Sequence, residues 1–300
     1  MIDPSVAIIL VNWNSYDFSV NCINSLNKCN YTNFKIILVD NGSKDPSIDK
    51  LSSQFKDIHF IKNKSNLGFT GANNIGISKA LKDNFDYVML LNNDTLVKKD
   101  FLKHLIDRFK NDDKLGAIQP LICQMNNPDK IWNSGGKFLR LIGLPVVIGK
   151  GKKLTNNGLI KNYTDWIPGC CIMLKSKIIN DVGLLDNSFF AYFEDVDWSL
   201  RIKEAGYFLG IETKSIIYHY ESGSSKSKSN IEGNLDPMIH YYNFRNHIKL
   251  IKKHKKYFGT IFPYCFQIFK FLIFSFYFII RFRFVKLKKM LCGLIDGIKS

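Results

Sequence analysis

Four mostly apolar runs alternate with helix-like segments over the first 91 residues. Between the runs, apolar residues recur at helical spacing, as Val20, Ile23 and Leu26 do. Runs without polar alternation are typical of parallel strands buried on both faces. The predicted strands are residues 6–11, 35–39, 58–61 and 87–91. With helices predicted at 48–55 and up to residue 81, the pattern indicates an α/β fold with a doubly wound parallel half.

The regular alternation of strands and helices ends after a helix predicted at 99–110 and a strand predicted at 116–119. Residues 123–165 hold several glycines among short apolar pieces, which predicts hairpins or loops. Residues 222–230 are rich in Ser and Lys, which predicts a mobile loop. The remaining predicted elements are strands at 170–174, 208–211 and 215–219 and helices at 177–182 and from the acidic cluster to 205.

Most of the excess of basic over acidic residues lies C-terminal to the predicted globular domain. The chain has 300 residues and a formal charge of +16, and residues 235–300 hold thirteen basic and two acidic residues. The apolar stretch 257–284 is interrupted by Lys270, leaving ten uncharged residues at 271–280, which is short for a bilayer span. Basic flanks favour helices lying in the membrane interface, whereas a covered core helix, a dimer contact and a tilted span remain open.

This composition predicts a domain at residues 1–230, in which the pattern divides residues 1–120 from residues 121–230, followed by a helical membrane-associating region (231–300). The seven cysteines include no C-x-x-C pair, and no signal peptide precedes the first strand. We therefore expect reduced thiols and a cytoplasmic protein, peripheral on the inner face of the cell membrane.

Two acidic clusters follow apolar runs. The first cluster contains Asp94, and the second contains Glu194, Asp195 and Asp197. Carboxylates at the carboxyl edge of a parallel sheet suit a metal and a diphosphate, so one cluster is expected to hold Mg²⁺ or Mn²⁺ and the other to move a proton. A helix cap at Asp94 and an Asp197–Arg201 helical pair are the structural alternatives.

Polar residues after the other strands suit a nucleotide. Asp40 can accept hydrogen bonds from a base or ribose, and Trp13 can stack near it. Asn66, Gly68 and Asn74 border a predicted helix start, where a phosphate is favoured. The turn after the first strand contains no glycine, which argues against a dinucleotide oxidoreductase.

Five motifs in this order resemble family 2 glycosyltransferases of the GT-A fold, closest to the rhamnosyltransferase-like branch. The resemblance spans residues 5–222 and implies a Rossmann-like, mostly parallel sheet with flanking helices. It also implies that residues 1–120 bind the nucleotide sugar and that residues 121–230 form the acceptor and catalytic half. The motifs are Val11-Asn12-Trp13-Asn14, Val39-Asp40-Asn41-Gly42-Ser43, Asn66-Leu67-Gly68-Phe69, Leu91-Asn92-Asn93-Asp94-Thr95 and Phe193-Glu194-Asp195-Val196-Asp197.

The resemblance implies inverting, metal-dependent transfer of a sugar, such as rhamnose, from a nucleoside diphosphate to a hydroxyl of a lipid-linked or cell-surface glycan. It assigns the metal to Asp94 and His219, and the base to Asp195, whose pKa Glu194 is expected to raise. An amide stands at Asn92, where the family's D-x-D form has a carboxylate. His219 is alternatively a surface residue at a strand end. The expected donor-binding residues are Asn12, Trp13, Asp40, Asn66, Gly68, Asn74, Asn92 and Asn93.

Two other classes compete with this interpretation. A sugar-nucleotide pyrophosphorylase would carry a Gly-rich, Arg-containing loop after its first strand, where this chain has Asn12 to Ser15. A basic membrane or nucleic-acid adaptor fits the charge of the tail, but the five motifs lie in the less basic part. We therefore expect a membrane-surface enzyme that binds no nucleic acid.

Overall fold

The computed structural model describes residues 3–154, 162–220, 232 and 235–300, so the predicted mobile loop at 222–230 lies outside the described residues. The described residues form two compact units. The first comprises 3–137, 147–154, 162–190 and 194–220, and the second comprises 138–146, 191–193, 232 and 235–300.

The strands lie close to the predicted positions in the first half of the chain. They are β1 (Val6–Asn12), β2 (Phe34–Asp40), β3 (His59–Lys62), β4 (Tyr87–Asn92), β5 (Thr95–Val97), β6 (Leu115–Gln124), β7 (Asn127–Asn133), β8 (Gly136–Leu139), β9 (Leu144–Val147), β10 (Tyr163–Thr164), β11 (Cys171–Lys175) and β12 (Phe208–His219). The helices are α1 (Tyr16–Leu26), α2 (Ser47–Gln54), α3 (Gly68–Lys82), α4 (Phe101–Lys110), α5 (Ser176–Val182), α6 (Glu194–Glu204), α7 (Pro237–Lys253), α8 (Lys255–Phe258), α9 (Ile261–Ile280) and α10 (Phe284–Lys299).

The parallel half of the sheet is confirmed. Strand β1 lies between β2 and β4 and is parallel to both, and β3 extends the sheet beyond β2. In this register Asn12 pairs with Asp40, and Val11 pairs with Asn92. The polar residues that end three strands therefore meet at one edge of the sheet.

The other half of the sheet is mixed. Strand β11 is antiparallel to both β4 and β6, whereas β12 is parallel to β6. The prediction that a strand ends at residue 119 is wrong, because β6 continues through Pro120. Its pairing with β11 stops at Ile118, so the missing N–H of Pro120 breaks no bond to that strand.

The two strands predicted at 208–211 and 215–219 are one strand, β12. Its pairing with β6 shifts register between Glu212 and Ile216, which makes one irregular strand look like two in the sequence. The region predicted as hairpins contains β7, which pairs with β6, and the separate β8–β9 sheet.

Both faces of the sheet are buried, as the continuous apolar runs predict. Along β1, Ile8 and Leu10 join one hydrophobic cluster, and Ala7 and Ile9 join the other. Helices α1 and α4 supply the first cluster, and α3, α5 and α6 the second. The helices packed on both faces hold the sheet in place, including the edge at which the polar residues lie.

The second unit consists mainly of the four C-terminal helices. Helices α7 and α10 pack closely, with Gly293 and Gly297 facing the backbone of Tyr241 and Arg245. Side chains at these two positions would collide with α7. Small residues four apart thus allow the two helices to approach each other.

Helix α9 corrects the expectation that the apolar stretch is too short for a bilayer. It runs through Lys270 for 20 residues and is long and apolar enough to cross a membrane, by length and composition. Lys270 does not interrupt the helix because its amine turns inward, 3.1 Å from Nδ1 of His247 on α7. Gln267 lies on the same inner side, whereas most of the aromatic side chains of α9 are exposed.

Candidate active site

A continuous hydrogen-bond network joins the ends of β4, β1 and β2. The amide of Asn93 donates to Ser19 Oγ at 2.8 Å, and Ser19 Oγ donates to Asn12 Oδ1 at 2.9 Å. The Asn12 amide in turn donates to Asp40 Oδ1 and Ser47 Oγ, both at 2.9 Å. Three expected donor-binding residues are therefore brought together, and the network holds the strand ends in a fixed arrangement.

Asp40 and Trp13 differ in how accessible they are. The side chain of Asp40 is 0% exposed, and it accepts hydrogen bonds from Asn12 and from the backbone and hydroxyl of Ser43. Trp13 is 46% exposed. Trp13 is thus free to stack on a ligand, whereas Asp40 is engaged in holding the loop that follows β2.

Asp94 and His219 form the second feature of this edge. Strand β12 is antiparallel to β5, with His219 opposite Thr95, so the pairing brings His219 beside Asp94. Nε2 of His219 lies 3.3 Å from Oδ1 of Asp94. The His219 ring packs edge-on against Trp132 with centroids 4.5 Å apart, which fixes its orientation. The surface alternative for His219 is wrong, since the residue is buried.

Three polar atoms of this pair are buried without a hydrogen-bond partner among the described residues: Asp94 Oδ1 and both ring nitrogens of His219. Buried polar atoms are normally satisfied, so unpaired ones require an explanation. A carboxylate and an imidazole are both metal donors, and the pair fits Mn²⁺ or Mg²⁺. Within the described ranges there is no cluster of three or more His, Cys, Asp or Glu side chains, so a metal held by this pair would need its other ligands from a diphosphate or water.

Asp195 lies at the start of α6 and is held by backbone amides. Its Oδ2 accepts from the N–H of Gly169 and its Oδ1 accepts from the N–H of Val196, both at 2.8 Å. The residue after Gly169 is Cys170, whose carbonyl accepts from the N–H of Asn92 at 2.8 Å. The turn before β11 therefore brings the second acidic cluster to the same edge as the first.

The pKa of the Cys170 thiol is affected by residues of both acidic clusters. Its pKa is raised well above its ordinary value by burial, and the nearby charges of Cys171, Asp94 and Asp195 raise it further. Two carboxylates from separate parts of the chain thus act on one sulfur. All seven cysteines are unpaired, as expected.

Glu194 and Asp195 have distinct environments. Burial, and secondly the charge of Asp195, raise the pKa of Glu194 well above its ordinary value. Burial also raises the pKa of Asp195, but the hydrogen bonds from Gly169 and Val196 oppose that rise. The expectation that Glu194 raises the pKa of Asp195 is wrong, because burial is what raises it, whereas the charge of Asp195 raises the pKa of Glu194. Asp195 is half-buried, whereas Glu194 is buried.

The backbone before this cluster is strained. Phe190, Tyr192 and Phe193 have φ of 61°, 69° and 72°, a region that favours glycine. The carbonyl of Phe190 accepts from the N–H and hydroxyl of Thr70 at the start of α3. A Cβ at Gly68 would lie 2.5 Å from that carbonyl oxygen, so glycine is needed there. Such strain is characteristic of functional segments.

In the second unit, α7 holds residues 191–193. The amide of Asn246 donates to the carbonyls of Ala191 and Tyr192 at 2.7 and 2.9 Å. Phe193 stacks on His247 with centroids 4.9 Å apart. Asn246 and His247 therefore have a structural role that the sequence did not indicate.

Asn66 and Asn74 are not equivalent. Asn66 Oδ1 caps the start of α3 by accepting from Gly68 N at 2.8 Å. Asn74 lies six residues inside α3, not at its start, and its amide donates to Leu185 O at 2.8 Å. The expectation that Asn74 borders the helix N-terminus is therefore wrong. Its amide instead fixes the segment that follows α5.

The structural alternative for Asp197 and Arg201 is confirmed. Nε of Arg201 donates to Oδ2 of Asp197 at 2.9 Å. The guanidinium also donates to the carbonyls of Val182 and Leu184. The pair thus holds α6 against the end of α5.

Comparison with known proteins identifies the family. Residues 7–183, more than half of the chain, match the family described as glycosyl transferase family 2. The chain belongs to this family.

One similar curated protein is the low-salt glycan biosynthesis hexosyltransferase Agl10 of Haloferax volcanii, with 26% identity over 209 residues. The match covers 68% of this chain and 64% of that protein. The chain thus spans somewhat less than two thirds of this relative.

Two solved structures show the same fold. GalNAc-T7 with UDP, GalNAc and Mn²⁺ superposes with a TM-score of 0.64 and 16% identity over 83% of this chain and 48% of that chain. The mannosyltransferase PcManGT from Pyrobaculum calidifontis, in complex with GDP-Man and Mn²⁺, superposes with a TM-score of 0.59 and 12% identity over 100% of this chain and 76% of that chain. The fold is therefore GT-A, as the motifs implied.

Proposed function

We propose that this chain is an inverting, metal-dependent glycosyltransferase of the rhamnosyltransferase-like branch. It transfers a sugar such as rhamnose from a nucleoside diphosphate to a hydroxyl of a lipid-linked or cell-surface glycan. The observation that carries the proposal is the placement of an unsatisfied Asp94–His219 pair and a separate carboxylate, Asp195, at one edge of the sheet. Family membership supports the reaction class.

The metal is proposed to bind Asp94 and His219. When bound, it supplies positive charge next to the diphosphate that leaves the sugar. A mixed oxygen and nitrogen donor set favours Mn²⁺ over Mg²⁺, which prefers oxygen ligands. The structures of GalNAc-T7 and PcManGT, both with Mn²⁺, support this choice.

Asp195 is proposed to be the general base. Its ionised carboxylate takes the proton of the acceptor hydroxyl as the hydroxyl oxygen bonds to the anomeric carbon and the bond to the diphosphate breaks. A base of this kind contributes roughly 10²–10⁴ to the rate. The pKa of Glu194 is raised well above its ordinary value by burial and by the charge of Asp195, so Asp195 is the carboxylate proposed to accept the proton.

A single displacement determines the stereochemistry. The acceptor oxygen attacks the face opposite the leaving diphosphate, so the configuration at the anomeric carbon inverts. Asp195 has to lie on the acceptor side and Asp94 on the diphosphate side, which is consistent with their positions on different elements, Asp94 between β4 and β5 and Asp195 at the start of α6.

The donor is proposed to lie along the edge formed by Asn12, Asp40, Asn92 and Asn93. Trp13 supplies an exposed aromatic ring for the base, and the start of α3 at Asn66 and Gly68 suits a phosphate. Asp40 and Asn12 act mainly by holding the loop that follows β2 against the loop that carries Trp13, because their side chains are already hydrogen-bonded and Ser43 also accepts from the N–H of Asn14.

The C-terminal helices are proposed to hold the enzyme on the inner face of the cell membrane. Helix α9 turns Gln267 and Lys270 inward and exposes apolar side chains such as Phe276, the reverse of a helix that faces water. Basic residues before and after α9 suit anionic headgroups. This arrangement favours burial of the exposed face in lipid.

The proposal is tested by incubating the full-length protein with nucleotide sugars, Mn²⁺ and lipid-linked acceptors. The expected result is release of nucleoside diphosphate that depends on both donor and acceptor, with an NMR spectrum showing the opposite anomeric configuration in the product. Formation of pyrophosphate or of a nucleotide sugar would instead indicate a pyrophosphorylase, and a retained configuration would exclude the single displacement.

A further inference from the structure

Trp132 occupies an irregular position on β7. Asn133 of β7 is paired with Ile122 of β6. The next pair along β6 joins Cys123 to Ile131, so the pairing skips Trp132. An extra residue on one strand of an antiparallel pair is a β-bulge, and bulges are over-represented next to active sites, where they change the direction of a side chain. The irregularity therefore concerns where the indole ring of Trp132 is directed.

The indole ring packs against His219. Trp132 contacts the hydrophobic cluster supplied by α1 and α4, whereas Ile131 belongs to a separate small cluster. Ile217 of β12 is part of the first cluster, and His219 lies two residues further along the same strand, on the same face of the sheet. The ring centroids of Trp132 and His219 are 4.5 Å apart, with an angle of 61° between the ring planes. The bulge thus places the indole beside the Asp94–His219 pair.

The indole nitrogen of Trp132 is a buried donor. Its Nε1 atom has no hydrogen-bond partner among the described residues. The same is true of Oδ1 of Asp94 and of both ring nitrogens of His219. Nearly all buried polar atoms in folded proteins have a partner. Four such atoms on three neighbouring side chains therefore indicate that all three side chains serve one ligand site.

An indole N–H restricts the kind of atom that can be its partner. The indole of Trp132 is a donor only, so it cannot bind a metal ion. The carboxylate of Asp94 and the imidazole of His219, in contrast, are metal ligands by type. Trp132 therefore has to serve an acceptor atom that lies next to the metal.

Charge favours a phosphate oxygen as this acceptor. A divalent cation held by one carboxylate and one imidazole keeps a positive charge, which attracts an anion. Hydrogen bonds to an ionised acceptor are roughly twice as strong as those between neutral groups. A sugar hydroxyl or a water molecule would gain less from the same N–H. A diphosphate bound to the metal thus satisfies the indole best.

We propose that the indole N–H of Trp132 donates a hydrogen bond to an oxygen of the donor's diphosphate, which makes Trp132 a donor-binding residue. This inference rests on the proposed function and deepens it. The diphosphate is held by the metal and also by an uncharged donor group on β7. Residues 121–230 are expected to form the acceptor half, so β7 supplies a donor contact from that half.

Trp132→Phe is the test variant, because it keeps an aromatic ring against His219 and removes the N–H. Isothermal titration of the full-length protein with Mn²⁺ uses whichever of UDP, GDP, ADP, CDP and dTDP binds the wild type most tightly. The variant is expected to bind this nucleotide roughly 10-fold more weakly, as the loss of a hydrogen bond to a charged group predicts. Binding of Mn²⁺ alone, followed by electron paramagnetic resonance, is expected to be unchanged.

Trp166→Phe is the matched control. Its Nε1 is also buried without a partner among the described residues, but its ring packs on Gly136, where a Cβ would lie 2.1 Å from that nitrogen. The control is expected to keep the nucleotide affinity of the wild type, and melting curves establish that each variant is folded. Equal losses in the two variants would overturn the proposal. Weaker binding of Mn²⁺ alone by Trp132→Phe would also overturn it, because Trp132 would then act through His219.

A measurement on the wild type avoids dependence on the folding of Trp132→Phe. The chain has four tryptophans, so a ¹⁵N-labelled sample gives four indole N–H resonances, which single Trp→Phe variants assign. Saturating nucleotide with diamagnetic Mg²⁺ is expected to move the Trp132 resonance downfield and to slow its exchange with water. An unchanged resonance would overturn the proposal.

The two proposals fail in different ways. If the wild type binds a nucleoside diphosphate with Mn²⁺ and Trp132→Phe binds it equally tightly, only the role of Trp132 is wrong. If none of the five nucleotides binds the wild type, the proposed function is wrong, and the role of Trp132 is wrong with it.

Discussion

Nε2 of His219 lies 3.3 Å from Oδ1 of Asp94, and neither atom has a hydrogen-bond partner among the described residues. Burial without a partner removes the hydrogen bonds that each atom would make to water, which costs about 1–3 kcal/mol for each such group. A metal held by both side chains would remove this cost. The relation between the two residues is therefore the structural basis for proposing a metal site.

His219→Ala is expected to weaken Mn²⁺-dependent binding of a nucleoside diphosphate by roughly 10-fold or more, because one of two protein donors is lost. Isothermal titration with and without Mn²⁺ measures the effect. His59→Ala is the control, since His59 is exposed on β3. An equal effect in both variants, or unchanged Mn²⁺ dependence in His219→Ala, would remove His219 from the site.

Glu194→Gln is expected to stabilise the protein at neutral and higher pH. The pKa of Glu194 is raised in the folded state, so at a pH between the two pKa values the folded protein binds more protons than the unfolded chain. The free energy of unfolding therefore falls as the pH rises from the pKa of the unfolded chain towards that of the folded protein. A pKa that is higher by one in the folded state than in the unfolded chain corresponds to about 1.4 kcal/mol of stability. Urea unfolding at about pH 4 and about pH 8 measures the difference, and a variant less stable than wild type only at the higher pH would contradict it.

Asp40→Ala and Trp13→Ala are expected to have different consequences. Asp40→Ala leaves the buried amide of Asn12 and the groups of Ser43 short of an acceptor, which costs about 1–3 kcal/mol of unfolding free energy. Trp13→Ala removes an exposed ring, so donor affinity should fall with little change in stability. Urea unfolding and donor titration on both variants provide the comparison; reversed effects would mean that Asp40 binds the donor directly.

Phe276→Glu is expected to move protein from the membrane to the soluble fraction, because it places a charge on the exposed apolar face of α9. Leu141→Glu is the control at another exposed position of the second unit. High salt should extract the wild type only partly, since burial of apolar surface is insensitive to screening. A wild type that is soluble without lipid or detergent would contradict a membrane location.

The parallel half of the sheet could be predicted because β1, β2 and β4 are buried on both faces and carry uninterrupted apolar runs. The bounds of β6 and β12 could not, because Pro120 and the register shift at Glu212 to Ile216 look like strand ends in a sequence. Such features depend on which neighbour is paired at each position. Local pattern alone does not contain that information.

The acidic residues of the site could be predicted from their position after apolar runs, but their partners could not. Gly169 positions Asp195 from 26 residues away, and Ser19 connects Asn93 to Asn12 through a helix. Neither has a distinguishing sequence signal. The expected relation between Glu194 and Asp195 is also reversed, because it depends on two backbone N–H groups that only the fold supplies to Asp195.

The central claim, that Asp94 serves the metal and Asp195 the proton, is tested most directly by measuring donor binding with and without Mn²⁺ alongside turnover in Asp94→Ala and Asp195→Asn. Asp94→Ala is expected to lose the Mn²⁺-dependent part of donor binding together with turnover. Asp195→Asn keeps the shape of the side chain but cannot take a proton, so donor binding should persist while turnover falls by roughly 10²-fold or more. Near-normal turnover in Asp195→Asn, or loss of Mn²⁺-dependent binding in Asp195→Asn but not in Asp94→Ala, would contradict the assignment.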